Sequence, residues 1–418
     1  MLALSSRSLL LTSALLLASP ALVGCSGSDV GSGDDNITDV PHTDVERQSI
    51  GNCWLYAQAS WVESMHLTAT GKEFDTSQSY WTYWHWFEQV LGGWSDEIST
   101  GGNQYTANGI VEARGLMEET DFVKEDTTSE MSSRQHDALD AMNRELKDGR
   151  LADRSAREDG ELVRQVLDEA WKLEPEVREM LDKAFGKDAA KTLSSGASLS
   201  GTSIISPDDF EVAYTERKTD ADEPTEKKTN LSEAMDEWSV ASYPSSKSSR
   251  RDYFIRVQKA LHDRQPVVVT WDVDFNAMES SDEALRGSFN LTTLKRAGGP
   301  GRQGGHMTVF EDYQAVTEEF GELKAGETLD PTDPDDKAKL DAALLPSTEI
   351  VFVRIKNSWG AFRDDRASAP GFPGYHDLYL DYLNGPITWC PNVEGTKTSS
   401  NCTGKTVPLS DVLLPPGY

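Results

Sequence analysis

The chain is poor in cysteine, with four in 418 residues, and poor in positive charge, with 40 basic against 70 acidic side chains. The net charge of −30 excludes nucleic acid as a partner, because a phosphate backbone calls for clustered Lys and Arg. The acidity reads as a solvated surface and names no substrate. No internal repeat is visible, and long hydrophobic runs are missing too. In residues 1–24, Arg7 precedes Leu9-Leu10-Leu11 and Leu15-Leu16-Leu17, but Thr12, Ser13, Ser19 and Pro20 break the run. Such a segment reads as a secretory signal and not as a membrane span. Histidine is scarce as well. His42, His66, His136, His262 and His376 show no metal-like pairing with Cys or with one another, so no metal and no cofactor is implied. The run Asp330-Pro331-Thr332-Asp333-Pro334-Asp335-Asp336 lacks the spacing of an EF-hand loop and reads as a solvated acidic turn.

What is present is concentrated in three stretches: Gln48-Ser49-Ile50-Gly51-Asn52-Cys53-Trp54, Gly304-Gly305-His306-Met307-Thr308-Val309 and Lys356-Asn357-Ser358-Trp359-Gly360. A free thiol with a pKa of about 8.5 is mostly unreactive at neutral pH and needs a base beside it. His306 is the candidate base. An imidazole also needs its tautomer fixed, and the Asn357 carbonyl is the candidate for that task. After Cys53, the spacing of Trp54, Gln58, Trp61 and Met65 predicts a helix ending near Gly71, which puts Cys53 at a helix N-terminus. Unpaired N–H groups and the positive end of the dipole favour a thiolate there, so a lowered thiol pKa is expected.

The Cys-Trp pair, a later His entering an apolar run and the tetrad Asn357-Ser358-Trp359-Gly360 together resemble the papain superfamily of cysteine peptidases. Within it, Gln78 to Val90, Gly115-Leu116-Met117-Glu118-Glu119 and Ser206-Pro207-Asp208-Asp209-Phe210 look distantly like the bleomycin hydrolase and aminopeptidase C group. The resemblance implies an α+β, two-lobe fold: a helix-rich lobe carrying Cys53 and a β-rich lobe carrying His306 and Asn357. It implies a Cys53, His306, Asn357 triad, with Gln48 and the Cys53 N–H as oxyanion donors and Trp359 shielding the Asn357 to His306 bond. Gln48 stands five residues before Cys53 where the family usually has six, which leaves its reach open. Gly101 and Gly102 resemble the glycine turn bordering the substrate cleft, although a plain turn explains them equally well. The interval from Cys53 to His306 far exceeds the roughly 130–150 residues of papain and cathepsins, so an insertion is expected. Residues 124–204 match no segment of the family and carry three amphipathic helical patterns, which makes them the candidate insertion.

Leu22-Val23-Gly24-Cys25 resembles a bacterial lipobox, which implies cleavage before Cys25, lipid on its sulfur and attachment to the bacterial cell envelope through that lipid. The expected organisation is a signal peptide over 1–24, a lipidated flexible tether over 25–44, a catalytic domain over 45–390 and a C-terminal tail over 391–418. In an exported chain Cys390 and Cys402 are expected to pair. His85, between Trp84 and Trp86, reads as packed core, and the polar stretch Thr215 to Asn230 as mobile. The function implied is an exported, lipid-anchored cysteine peptidase acting on peptides or proteins through an acyl-enzyme. An acyltransferase or amidase with the same triad, or a silent binding protein on this frame, are the alternatives.

Overall fold

The computed structural model describes residues 38–93, 95–218, 223–361, 363, 365–390, 402 and 404–418. The expected signal peptide, Cys25 and the first part of the expected tether, to residue 37, lie outside the described residues.

The first half is helical. Helix α1 (Cys53–Thr70) buries Trp54, Leu55, Trp61, Val62 and Met65 and is covered on nearly every face, as its apolar residues on several sides require. Helix α2 (Gln78–Leu91) starts where the Ser77 side chain accepts from the Tyr80 N–H, and carries Tyr80, Trp81, Tyr83, Trp84, Trp86 and Phe87 into the same core. Each such ring contributes about 1.5–3 kcal/mol on burial. Helix α3 (Gln104–Arg114) follows the glycine turn, with Asn103 as its cap, and α4 (Glu119–Phe122) is a single turn. The expected helices of the 124–204 segment form as α5 (Arg134–Asp148), α6 (Gly160–Ala170) and α7 (Pro175–Phe185). Their apolar stripes, Met142 and Leu146, Val166 and Leu167, Leu181 and Phe185, join the α1–α2 core and do not form a separate one.

The second half is built on a sheet. Strands β1 (Glu211–Glu216) and β2 (Thr225–Asn230) pair as an antiparallel ribbon. The stretch expected to be mobile therefore contributes a strand, because Thr225 to Asn230 pairs along the whole length of β1. After α8 (Leu231–Glu237) come β3 (Ser239–Ser242), α9 (Arg250–His262) and β4 (Val267–Asp274). Then follow α10 (Leu291–Arg296), β5 (Gln303–Thr317), β6 (Gly321–Leu323), α11 (Pro334–Ala343), β7 (Glu349–Lys356), β8 (Tyr375–Tyr379) and α12 (Leu380–Asn384). The chain closes with β9 (Ile387–Trp389), β10 (Gly404–Thr406) and β11 (Leu409–Leu414). The main sheet runs β3-β11-β4-β5-β7-β8, with β6 on β5. Its core holds Trp271, Phe310, Ile355, Leu378 and Val412, and α1 packs on β5. The fold is α+β, with the helical half carrying Cys53 and the sheet half carrying His306 and Asn357.

Two expected boundaries move. The stretch expected as a flexible tether is fixed from Thr38 onward: Thr38 and Val40 are fully buried, and Thr38 Oγ1 donates to the Glu311 carbonyl at 2.5 Å. The C-terminal stretch is not a tail, since β11 lies between β3 and β4 with Leu409, Val412 and Leu414 buried. The Gly/Ser/Thr/Asn-rich segment before it masked this short apolar run.

Candidate active site

Cys53 is the first residue of α1 and the free cysteine among the described residues. Asn52 stands at the helix cap but makes no side-chain bond to the first turn. Its amide is turned away and donates to Thr82 Oγ1 and Gln135 Oε1, both at 3.0 Å. The first N–H groups of the helix are thereby left for another acceptor. The Cys53 sulfur takes that place, with the N–H groups of Met307, Trp54 and Cys53 favouring its thiolate. Burial outweighs them and pushes the thiol up to about 11. The lowered pKa expected from the helix terminus is therefore not what the site produces for the thiol taken alone, because desolvation of the charged form is the larger effect.

His306 sits on β5 opposite Trp271 of β4. The pairing of β5 with β7 reaches Val309 and Lys356, just where Asn357 leaves the strand. Continuing that antiparallel register sets Trp359 opposite His306, and the two rings stack at 4.9 Å with 19° between planes. Trp271 meets the imidazole edge-on at 5.6 Å, its Nε1–H held by Thr308 Oγ1. The Asn357 Oδ1 lies 2.8 Å from His306 Nε2. Oδ1 also accepts the Ser358 N–H at 2.8 Å, which locks the amide. Nε2 is then the protonated nitrogen, and Nδ1 is left as the basic one. Burial pushes His306 down to about 4, opposed by its bond to Asn357, so the resting imidazole is neutral.

Gln48 is drawn to the same turn. Its Oε1 accepts from Ser358 Oγ at 2.7 Å and its backbone N–H donates to the Ser358 carbonyl at 2.9 Å. Its Nε2 donates to the Ile50 carbonyl at 2.7 Å, which occupies one of its two hydrogens. Gly101 and Gly102 are exposed, and Gly102 lies against Trp54, the residue after Cys53. Trp54 Nε1 donates to the Thr100 carbonyl at 2.9 Å, and a Cβ on Gly102 would stand 2.4 Å from its ring. The turn is thus bare backbone against the side chain that follows Cys53. His85 is buried edge-on to Trp54 at 4.9 Å, in the core.

Cys390 and Cys402 are joined by a disulfide. The Cys390 N–H donates to Gln303 Oε1 at 2.6 Å, linking this loop to the strand that carries His306. Sequence reasoning missed the Ser358 bond to Gln48, for which the tetrad was a signal. It also missed a cluster of Glu46, Asp75 and Glu119, which no spacing reveals because the three come from separate segments.

No protein-family model matches the sequence, and none of the curated proteins is similar to it. Among solved structures, PepW from Lactobacillus rhamnosis HN001 is similar over 90% of this chain and 80% of its own, at 12% identity and a TM-score of 0.38. Xylellain, a cysteine protease from Xylella fastidiosa, is similar over 91% and 85%, at 13% identity and 0.36. The recombinant stem bromelain precursor is similar over 93% and 74%, at 14% identity and 0.31. At these scores the likeness settles neither family nor activity.

Proposed function

We propose that the protein is a cysteine peptidase of papain type, hydrolysing peptide bonds through Cys53, His306 and Asn357. The observation that carries this is a buried imidazole oriented by Asn357 at 2.8 Å and covered by Trp359, with the N–H of the next residue, Met307, reaching the Cys53 thiol at an uncapped helix start. In the reaction, the Cys53 sulfur bonds to the substrate carbonyl carbon and its proton passes to His306 Nδ1. The tetrahedral oxygen is met by the Cys53 N–H and the second hydrogen of Gln48 Nε2. The carbon–nitrogen bond then breaks, and His306 gives its proton to the leaving amine. Water attacks the thioester with His306 as base, restoring the thiol. Gly101 and Gly102 offer backbone to an extended substrate.

The setting we infer is the cell envelope, through lipid on Cys25. The disulfide of Cys390 and Cys402 supports an exported chain, since such bonds persist outside the reducing cytosol. Among the described residues no helix is long and apolar enough to cross a membrane.

The test is labelling of the purified chain by a peptidyl epoxide, with mass mapping of the adduct, followed by product analysis on a peptide library. An adduct on Cys53 and free carboxylate products are expected. No adduct would refute the nucleophile, and amide products formed with an added amine would indicate acyl transfer.

A further inference from the structure

The ring that covers the imidazole leads directly to a group of cations. Phe275, the residue after β4, leans on Trp359 with ring centres 5.4 Å apart, and Trp359 stacks on His306. Two guanidinium groups lie over Phe275, Arg302 at 4.5 Å and Arg366 at 4.4 Å from its centre. Arg366 also stands 5.7 Å from the centre of the Trp359 ring. The sheet places both. Arg302 immediately precedes β5 and its carbonyl accepts the Phe275 N–H at 3.0 Å, while Arg366 belongs to the connection from β7 to β8.

Positive charge here runs against a chain of net charge −30, and it is not balanced locally. Arg366 Nη1 donates to Asp365 Oδ2 at 3.1 Å, but that carboxylate already receives Arg363 Nε and Nη2, each at 2.7 Å. Arg302 is exposed and has no ion pair among the described residues. Burial, Arg363 and Arg302 act against the charged form of Arg366, and only Asp365 opposes them. A neighbouring cleft of about 620 Å³ repeats the pattern. Arg366 and Arg363 line it with Arg286 and Arg47, and Asp365 is its one acidic lining residue. Arg47, from the strap leading to Cys53, pairs by backbone with Trp359, and its Nε is buried with no hydrogen-bond partner among the described residues.

In the reaction proposed above, His306 gives its proton to the leaving amine, so the leaving half of the substrate begins at the imidazole. What borders the imidazole therefore borders that half. We propose that Arg302 and Arg366 form a subsite for a carboxylate on the leaving half, within the first three residues after the scissile bond, and that the substrates are acidic peptides. Extended chain advances about 3.3 Å per residue. Arg366 is two ring contacts, 4.9 and 5.7 Å, from the imidazole centre, which fits a position in that stretch. A guanidinium lying flat on an aromatic ring keeps its N–H edge for a carboxylate, which it can grip with two parallel bonds. Binding of an anion would also relieve the repulsion between the two cations. At physiological salt the acidic surface is screened beyond about 8 Å, so these nearby cations decide what a peptide meets. The inference rests on the peptidase reading for the direction of the substrate.

Kinetics on the full chain use internally quenched peptides with one common acyl half and an amidated end, carrying Ala, Lys, Asp or Glu at the first, second or third residue after the scissile bond. Asp or Glu at one of these positions is expected to raise kcat/KM at least about tenfold over Ala, and Lys to lower it. Arg302→Gln with Arg366→Gln should bring the Asp-to-Ala ratio close to one. Arg302→Glu should turn the preference toward Lys, a reversal that lost packing would not produce. If the double variant does not fold, Arg302→Gln alone serves, with the ratio falling at least about threefold. A series ending in free acids at the same positions separates a terminal carboxylate from a side chain. Binding is read apart from turnover, by calorimetry of the Cys53→Ala chain with the amides of Asp-Ala-Ala, Ala-Asp-Ala and Ala-Ala-Asp against Ala-Ala-Ala. One acidic tripeptide should bind at least about tenfold tighter, and the gain should vanish in Arg302→Gln with Arg366→Gln. Equal affinities and equal rates across the acidic, neutral and basic peptides would overturn the proposal, as would a preference that survives the double variant. If no peptide is cleaved while acidic binding and its loss in the variant hold, the peptidase reading fails and the carboxylate site stands.

Discussion

Ser358 and Gln48 are bonded twice, Ser358 Oγ donating to Gln48 Oε1 at 2.7 Å and the Gln48 N–H donating to the Ser358 carbonyl at 2.9 Å. The residue after the imidazole-orienting Asn357 thus also orients the side chain expected to meet the oxyanion. One hydrogen of Gln48 Nε2 is taken by Ile50, so the fixed amide has a single hydrogen to offer substrate. Gln48→Ala should lower kcat by about 10²–10³ with KM little changed, the usual cost of an oxyanion donor. Gln48→Glu, which has no N–H, should do the same. Ser358→Ala keeps the donor but frees it to rotate, and should cost roughly tenfold, about 1.4 kcal/mol. Steady-state kinetics on one peptide substrate checks all three. An unaltered kcat in Gln48→Ala would remove Gln48 from the reaction.

The pH dependence of Cys53 follows from two opposite shifts. The thiol is pushed up to about 11 and the imidazole down to about 4, each because burial disfavours its ion. Between these values the pair is neutral, and a thiolate forms when the proton moves from sulfur to His306. That transfer takes no proton from solvent, so its equilibrium does not change with pH. Alkylation by iodoacetamide should therefore show a plateau from just above pH 4 through neutrality. It should fall only as His306 protonates and rise only as the free thiolate appears at high pH. His306→Ala should abolish the plateau and leave one rise toward about 11. Asn357→Asp would place a charge beside the imidazole, raise its pKa and move the acid limb upward. A rate that tracks a simple thiol of pKa about 8.5 would refute the coupled pair.

The three residues of the proposed triad stand out in the sequence because each signal is local: a Cys before a helix pattern, a His in an apolar strand, an Asn ending another. The helices of 124–204 were legible for the same reason, since Met142 with Leu146 and Leu181 with Phe185 recur at helical spacing. What stayed hidden depends on distant partners. Nothing around Cys53 says how deeply the thiol is buried, so the helix terminus suggested a lowered pKa where desolvation gives a raised one. Glu46, Asp75 and Glu119 meet only once the strap, the loop before α2 and α4 have packed. The polar stretch from Thr225 to Asn230 becomes a strand only because β1 supplies its partner.

Arg114 fastens the 124–204 segment to the lobe carrying the thiol. Its side chain is 3% exposed, and its guanidinium lies 4.2 Å from the centre of the Trp84 ring. It donates to the Lys191 carbonyl at 2.8 Å, to the Ala189 carbonyl at 3.2 Å and to Glu88 Oε1 at 2.5 Å. Arg114→Ala leaves the two carbonyls without donors and a gap against Trp84, and should cost about 2–4 kcal/mol in denaturant unfolding. Arg114→Lys should recover little, because an ammonium neither forks nor stacks as a guanidinium does. Epoxide labelling of Cys53 below the melting range should be unchanged. A loss under 0.5 kcal/mol in Arg114→Ala would show that the segment is held elsewhere.

The last strand tests whether the C-terminal residues belong to the fold or trail from it. β11 pairs with β3 through Val412 and Ala241 and with β4 through Val412 and Val269, so removing it would leave two strand edges unpaired inside one sheet. It also carries side chains into the core: Leu414 and Val412 are fully buried, while Ser410 between them and Leu409 faces water. Beyond it, the Tyr418 carbonyl accepts from Arg256 and the Arg217 N–H donates to the Pro416 carbonyl at 3.0 Å, which pins the end of the chain. Deletion of residues 407–418 should therefore yield protein without a cooperative unfolding transition, since exposed edges and a vacated core invite aggregation. Leu414→Ala should fold but lose about 2–5 kcal/mol, the range for a large aliphatic residue removed from a packed core. Ser410→Ala should stay within about 0.5 kcal/mol of the parent. A tail would make all three changes silent. Near-native stability in the deletion would therefore count against a central β11, whereas a loss in Leu414→Ala with none in Ser410→Ala would establish the inward face of the strand.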